Sequence, residues 1–271
     1  MAKYSWILAA TAQEMRKFIQ YRAEFWIVTI GLSLSQLVIA FSVWNELYSS
    51  QGQTTLGTYT LNEAILYSVW ATLCGTALRP IFGVISREIY EGDLTKYLMY
   101  PVSHYLLCFT LYFGKSFIAF LQATIAIGAV VLVSPNIEVF DNLPPIWSIS
   151  AGIVSLFLSM ILIYSSNYIV ELTGFWADEV WALSIFHHFV VNIFGGTVLP
   201  LTFFPDWAQS ILYVLPPAVI FAVPIETFMG RVTPSQWLMN VGLATIWIIV
   251  LIPIRRIIWE LGRKQYSGVG M

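Results

Sequence analysis

Six stretches of the chain are apolar over roughly the length a bilayer-crossing helix needs: 25–47, 64–85, 105–133, 146–170, 181–200 and 237–254. Such a span takes about 20 residues. Lipid offers no water to backbone N–H and C=O groups, so each run must satisfy its own hydrogen bonds as a helix. This constraint sets the expected fold: an all-α integral membrane protein with six transmembrane helices, one domain over residues 1–271. Only 10% of the residues are charged, where soluble domains carry about 25%. A formal net charge of -2 argues against nucleic acid as a partner; membrane lipid is the surrounding to expect.

Lys and Arg in the connecting segments set the orientation. Lys3, Arg16, Lys17 and Arg22 precede the first span, Arg87 and Lys96 lie between the second and third, and Arg255, Arg256, Arg263 and Lys264 follow the last. Loops 49–62 and 134–145 have neither, and Arg231 alone lies between spans five and six. Both termini, the tail 255–271 and the segment 86–101 are therefore expected on the cytoplasmic side. The acidic loop 171–179 has no cation, and its side rests on counting spans. Within residues 1–24, apolar Tyr4, Ile7, Leu8, Met15, Phe18 and Ile19 share one helical face, which predicts an amphipathic helix lying in the interface. No cleavable leader is expected, and the first apolar run reads as an uncleaved anchor.

The longest charged interruption is 86–101, with Arg87, Glu88, Glu91, Asp93 and Lys96 within ten residues. On one continuous helix Tyr90, Leu94 and Tyr97 share a face with Leu98 beside them, and Gly92–Asp93 marks a break or restart. It reads either as a solvated connection or as a docking helix for a cytosolic partner. Residues 198–235 are apolar but interrupted by Pro200, Pro205, Pro216, Pro217, Pro224 and Pro234. Short helices that dip into the outer leaflet and return suit this pattern better than a span, with Trp207, Tyr213 and Phe221 at the interface.

Catalytic signatures are absent from the sequence, and no enzyme activity is expected of the chain. Gly114-Lys115-Ser116 lacks the first glycine of a P-loop, and Lys115 reads as a snorkelling side chain. His187 and His188 point to different sides of a helix, and Cys74 and Cys108 read as separate buried thiols, so no metal set is expected. Three mildly polar stripes run within spans: Thr29, Ser33 and Gln36; Ser68, Thr72 and Thr76 with Arg79; and Ser184, His188 and Asn192. Each suits either a translocation path or helix packing. The small-residue row Ser148, Gly152, Ser155 and Ser159 favours packing.

In this order the parts resemble the permease subunits of ABC-2 type transporters, over essentially the whole chain and most like the bacterial subfamily of separate permease chains (a type V exporter-like fold). The residues Ile89 to Leu94, Leu98 and Pro101-Val102-Ser103 are similar to the family pattern I-x-x-G-x-L-x-x-x-L-x-x-P-V-S. Gly196 to Trp207, Leu215-Pro216-Pro217, Gly230 and Gly262 to Gly268 also look like the family. The resemblance implies an ATP-driven exporter in a bacterial inner membrane, with a second permease, identical or paralogous, and two copies of a separate ABC ATP-binding subunit. ATP and Mg would be held by that subunit, with no cofactor on this chain. The segment 86–101 would be the coupling helix, contacting the ATPase through Arg87, Glu88, Tyr90, Glu91, Asp93, Leu94 and Tyr97. Residues 198–235 would be the extracellular re-entrant region. The competing readings are a gradient-driven secondary transporter, which wants carboxylates at the centres of its spans, a membrane enzyme and a membrane scaffold.

Overall fold

The computed structural model describes residues 5–20, 22–52, 54–80, 82–133, 144–266 and 268. Its long helices are α1 (Ser5–Gln20), α2 (Arg22–Gln51), α3 (Leu61–Ala77), α6 (His104–Val133), α7 (Ile146–Glu171), α8 (Trp181–Gly195) and α12 (Pro234–Gln265). Short helices fill two gaps: α4 (Val84–Tyr90) and α5 (Leu94–Leu98) in the first, α9 (Asp206–Leu212), α10 (Pro216–Ile220) and α11 (Ala222–Phe228) in the second. The one departure from an all-helical fold among the described residues is a two-stranded antiparallel hairpin, β1 (Thr55–Leu56) with β2 (Tyr59–Thr60).

Among the described residues four helical stretches are long and apolar enough to cross a membrane: Trp26–Ser50 in α2, His104–Ala129 in α6, Ile146–Phe175 in α7 and the turn that follows it, and Pro234–Gln265, which is α12. A fifth crossing would need α9 and α10–α11 counted together, but these meet at a 71° bend. The sequence predicts longer second and fifth spans than the structure has. The second ends at Ala77, not 85, because Pro80 cannot donate to a continuing helix. The fifth ends at Gly195, since Gly196 turns left-handed at φ 87°. In the other direction, Pro253 lies inside α12, not at its end, and the expected tail 255–271 begins as eleven further helical residues to Gln265.

Helix starts follow their caps. Thr60 accepts from Glu63 N while Glu63 accepts from Thr60 N at 2.8 Å, and Thr233 with Gln236 repeats the arrangement before Pro234. Such boxes satisfy two otherwise orphaned donors.

Helix α7 is the centre of the bundle. Half of its apolar window is buried, against 6% for the corresponding windows of α2 and α12. Packing there follows the small-residue row. A Cβ on Gly152 would come within 2.5 Å of the Phe228 ring, Ser159 Oγ lies 3.3 Å from Val219 O, and Trp237 donates to Ser155 Oγ at 3.0 Å. Outward-facing Ile39, Phe41, Ile125, Met239 and Ile249 form surfaces suited to hydrocarbon. Helix α1 packs along α6. Of the apolar face expected on it, Tyr4 and the side chains of Leu8, Met15, Phe18 and Ile19 lie outside the described residues.

At the end away from α4, the short helices are sewn to α3. Tyr67 donates to Gly196 O at 2.6 Å, and Trp70 stacks on Phe228 at 4.5 Å. Arg231 lies over the Tyr59 ring, donates to Thr58 O and pairs with Glu63. Phe221, expected at an interface, is fully buried because Gly195 lets α8 close on it.

Candidate functional site

The charged segment between α3 and α6 is not a loose connection. Gly83, at φ 68°, starts α4 without a side-chain cap of its own. The cap comes from Glu171, the last residue of α7. Its Oε1 accepts from Gly83 N at 2.9 Å and from Ser184 Oγ at 2.8 Å, and its Oε2 accepts from Ser86 N at 3.1 Å and Ser86 Oγ at 2.8 Å. One fully buried carboxylate thereby ties α7, α4 and α8 together, with its charge at a helix N-terminus where it is favoured. Gly174, just beyond it, has no Cβ because Ser86 Cα would lie 3.1 Å away. Sequence reasoning placed Glu171 in an acidic loop; the structure makes it the anchor of α4.

The far side of the segment is held by the tail. Gly92, at φ 81°, separates α4 from α5. The Tyr266 hydroxyl fills that break, donating to Gly92 O at 2.6 Å and receiving Thr95 N at 3.2 Å. Gly262 allows the approach, since a Cβ there would overlap the Phe175 ring. The Tyr266→Phe variant deletes this bridge with little change in volume. It is expected to cost about 0.5–1.5 kcal/mol, since water reaches this bridge and can replace the hydroxyl, and to speed hydrogen exchange at Gly92–Thr95 by up to about tenfold. Unchanged exchange there would show that the bridge carries no stability.

The break also changes which residues face outward. Tyr90, Leu94 and Tyr97 do not share a face. Leu94 is fully buried, Tyr97 is half-buried and Tyr90 is 40% exposed. A positive-φ glycine between Tyr90 and Leu94 shifts the helical phase that a continuous wheel assumes. Glu88 is turned inward to His104, with Oε2 3.2 Å from Nε2, and burial together with Glu88 pushes the Tyr97 phenol above its ordinary range. Outward lie Arg87 with Glu91, Asp93 with Lys96 at 2.7 Å, and the apolar side chains of Tyr90, Leu98, Met99 and Tyr100. Beside them is a groove of about 370 Å³ lined in part by Tyr100, Arg255, Arg256, Trp259 and Glu260.

The three polar stripes separate. Ser33, Thr76 and Arg79 line one cavity of about 200 Å³ between α2, α3 and α6, with Lys115 and Ser116. Ser33 Oγ is buried there with no hydrogen-bond partner among the described residues. Gln36 is exposed, and the Thr29 side chain lies outside the described residues. Ser68 accepts from Trp44 Nε1 at 2.8 Å, and Thr72 bonds its own helix at Ser68 O, which are packing roles. Ser184 belongs to the Glu171 anchor. Asn192 donates to His188 O and accepts from Thr197 Oγ1, while the His188 ring meets Phe82 edge-on at 5.3 Å. Ser184 and Asn192 are thus engaged in packing at opposite ends of α8, and none of the third stripe lines the cavity.

The sequence matches the family described as ABC-2 family transporter protein over residues 34–270. No curated protein matches it.

Proposed function

The chain belongs to the ABC-2 transporter family, a family of membrane transport components, and on that premise we propose that it is the permease subunit of an ATP-driven exporter. Two permeases, identical or paralogous, would pair and sit on two copies of an ATP-binding subunit. ATP and Mg would be held by that partner. The expected setting is a bacterial inner membrane with both termini cytoplasmic. Helices α3 and α8, of 17 and 15 residues, would complete six crossings with the four long helices, and α9–α11 would form the extracellular re-entrant region.

The observation that carries this reading is the α4–α5 segment. Its inner side is fixed to three parts of the bundle through Glu171, His104 and Tyr266, while its outer side presents paired charges and apolar side chains. That is the construction of a lever. In the mechanism, ATP draws the two ATPase subunits together and pulls α4–α5 with them. Because Glu171 joins α4 to α7 and α8, the pull reaches those helices as a rigid-body displacement. The Ser33/Thr76/Arg79 cavity, at the same end of α3, is the natural first compartment of the path. A gradient-driven transporter is less well supported, since its coupling wants carboxylates at the centres of the spans, and the centres of the six apolar stretches hold none.

A mild-detergent pull-down of the tagged chain from its native host, with mass spectrometry and an ATPase assay, tests the assignment. The expected result is co-elution of a soluble P-loop protein with ATP hydrolysis; a second permease of similar size would establish a heteromeric pair. Recovery of the chain alone, with transport activity persisting in its native membranes, would overturn the ATP-driven reading.

A further inference from the structure

Behind α4 lies a cluster that the coupling role leaves unexplained. Helix α6 places His104 and Cys108 four residues apart on one face, and α4 brings Glu88 against them. His104 Nε2 is 3.2 Å from Glu88 Oε2 and 3.5 Å from Cys108 Sγ, and the three ligand atoms all lie within 4.8 Å of one another. Ligands on a tetrahedral Zn²⁺ with bonds of about 2.0–2.3 Å stand roughly 3.3–3.6 Å apart. The histidine–cysteine separation falls in that range, and the histidine–glutamate one lies just short of it.

We propose that Glu88, His104 and Cys108 bind a divalent transition metal of borderline softness, with Zn²⁺ the best match to one nitrogen, one sulfur and one oxygen donor. The outer partners support it. Tyr168 OH meets His104 Nδ1 at 3.0 Å, which leaves Nε2 for the metal, and the Tyr97 hydroxyl hydrogen-bonds Glu88. Trp259 stacks on the imidazole at 5.4 Å and fixes its plane. Metal-binding histidines and carboxylates are oriented in this way by second partners. Glu88 and Cys108 also open onto a cavity of about 180 Å³ that Tyr97 and Lys115 help to line, with room for a water as fourth ligand. An ion here would clamp α4 to α6. Its effect on energy transmission rests on the coupling role proposed above; its binding does not.

The test uses the full chain purified in detergent without a histidine tag, stripped with chelator and loaded with Zn²⁺ or Co²⁺. The expected result is one metal per chain, with a thiolate-to-cobalt charge-transfer band in the Co²⁺ form. Cys108→Ser should abolish that band and weaken Zn²⁺ binding at least tenfold, and Glu88→Gln should weaken binding while keeping the band. Cys74→Ser, at a free cysteine outside the cluster, should leave both unchanged. His104→Ala removes the ring stacked on Trp259 and can cost folding, so the conservative Cys108→Ser carries the decision. Fewer than one metal per ten chains, or a band and affinity that survive Cys108→Ser, would reduce the cluster to a histidine–glutamate pair. The readout is metal content and spectrum, so a failed ATPase assignment would leave it standing.

Discussion

Glu171→Gln is expected to weaken the protein by about 2–4 kcal/mol and to separate ATP hydrolysis from transport. The amide matches the carboxylate in shape but can accept on one side only. Turned either way, its NH₂ faces a backbone N–H, that of Gly83 or of Ser86. A serine hydroxyl can rotate to accept from the amide, and the backbone donor cannot. One orphaned buried donor costs about 1–3 kcal/mol, and loss of the charge at the α4 N-terminus adds about 0.3–1 kcal/mol, more in a buried setting. Glu171→Ala orphans all the donors and should exceed about 4 kcal/mol, comparable to breaking a buried charged network. Ser184→Ala removes one donor of the four and should cost about 1 kcal/mol with coupling intact. Thermal unfolding in detergent and the ratio of transported substrate to ATP hydrolysed are the two measurements. Should Glu171→Gln match Ser184→Ala in both, the joint between α4 and α7 is not where force passes.

The contrast between Glu171 and the apolar helices shows what the sequence could reveal. Helices α6 and α7 are legible because lipid leaves a long apolar run no other structure; the bounds of α7, Ile146–Glu171, fall within a residue of 146–170 at both ends, and α6 starts at His104, a residue from 105. The break at Gly92 was also legible, as a glycine before an aspartate. Its consequence was not. A helical wheel drawn through it grouped Tyr90 with Leu94, and the left-handed glycine turns them apart. Glu171 ends an apolar run, which in one dimension is what a loop acid does; three of its four donors lie 85 to 88 residues earlier, at the start of a helix that it caps. Tyr266 is similar, meeting Gly92 and Thr95 across more than 170 residues of chain. The i, i+4 spacing of His104 and Cys108 is visible in the sequence, whereas Glu88, 16 residues before His104 in a charged segment, reaches the pair only through the fold.

Leu94→Ala and the double variant Tyr90→Ala/Met99→Ala should fail in opposite ways, although the continuous-helix reading treats Tyr90 and Leu94 alike. Leu94 is fully buried against the bundle, and truncating such a leucine costs about 2–5 kcal/mol with its cavity. The protein that survives should still bind the ATPase, because its outer face is intact. Tyr90 and Met99 are 40% and 77% exposed, and surface truncations of this kind usually stay within about 0.5 kcal/mol in stability. If they contact the ATPase, the double variant should weaken co-purification tenfold or more, since a loss of about 1.4 kcal/mol in an interface corresponds to tenfold in affinity. Paired measurements of melting temperature and of ATPase recovered per permease separate the two. Wild-type recovery from Tyr90→Ala/Met99→Ala would move the contact to the groove beside Arg256 and Glu260. The physical reason for expecting opposite outcomes is the turn at Gly92. A lever needs one side fixed in its own bundle and one side free to be pulled, and a single continuous helix of this length and pattern would have spent Tyr90 and Leu94 on the same side.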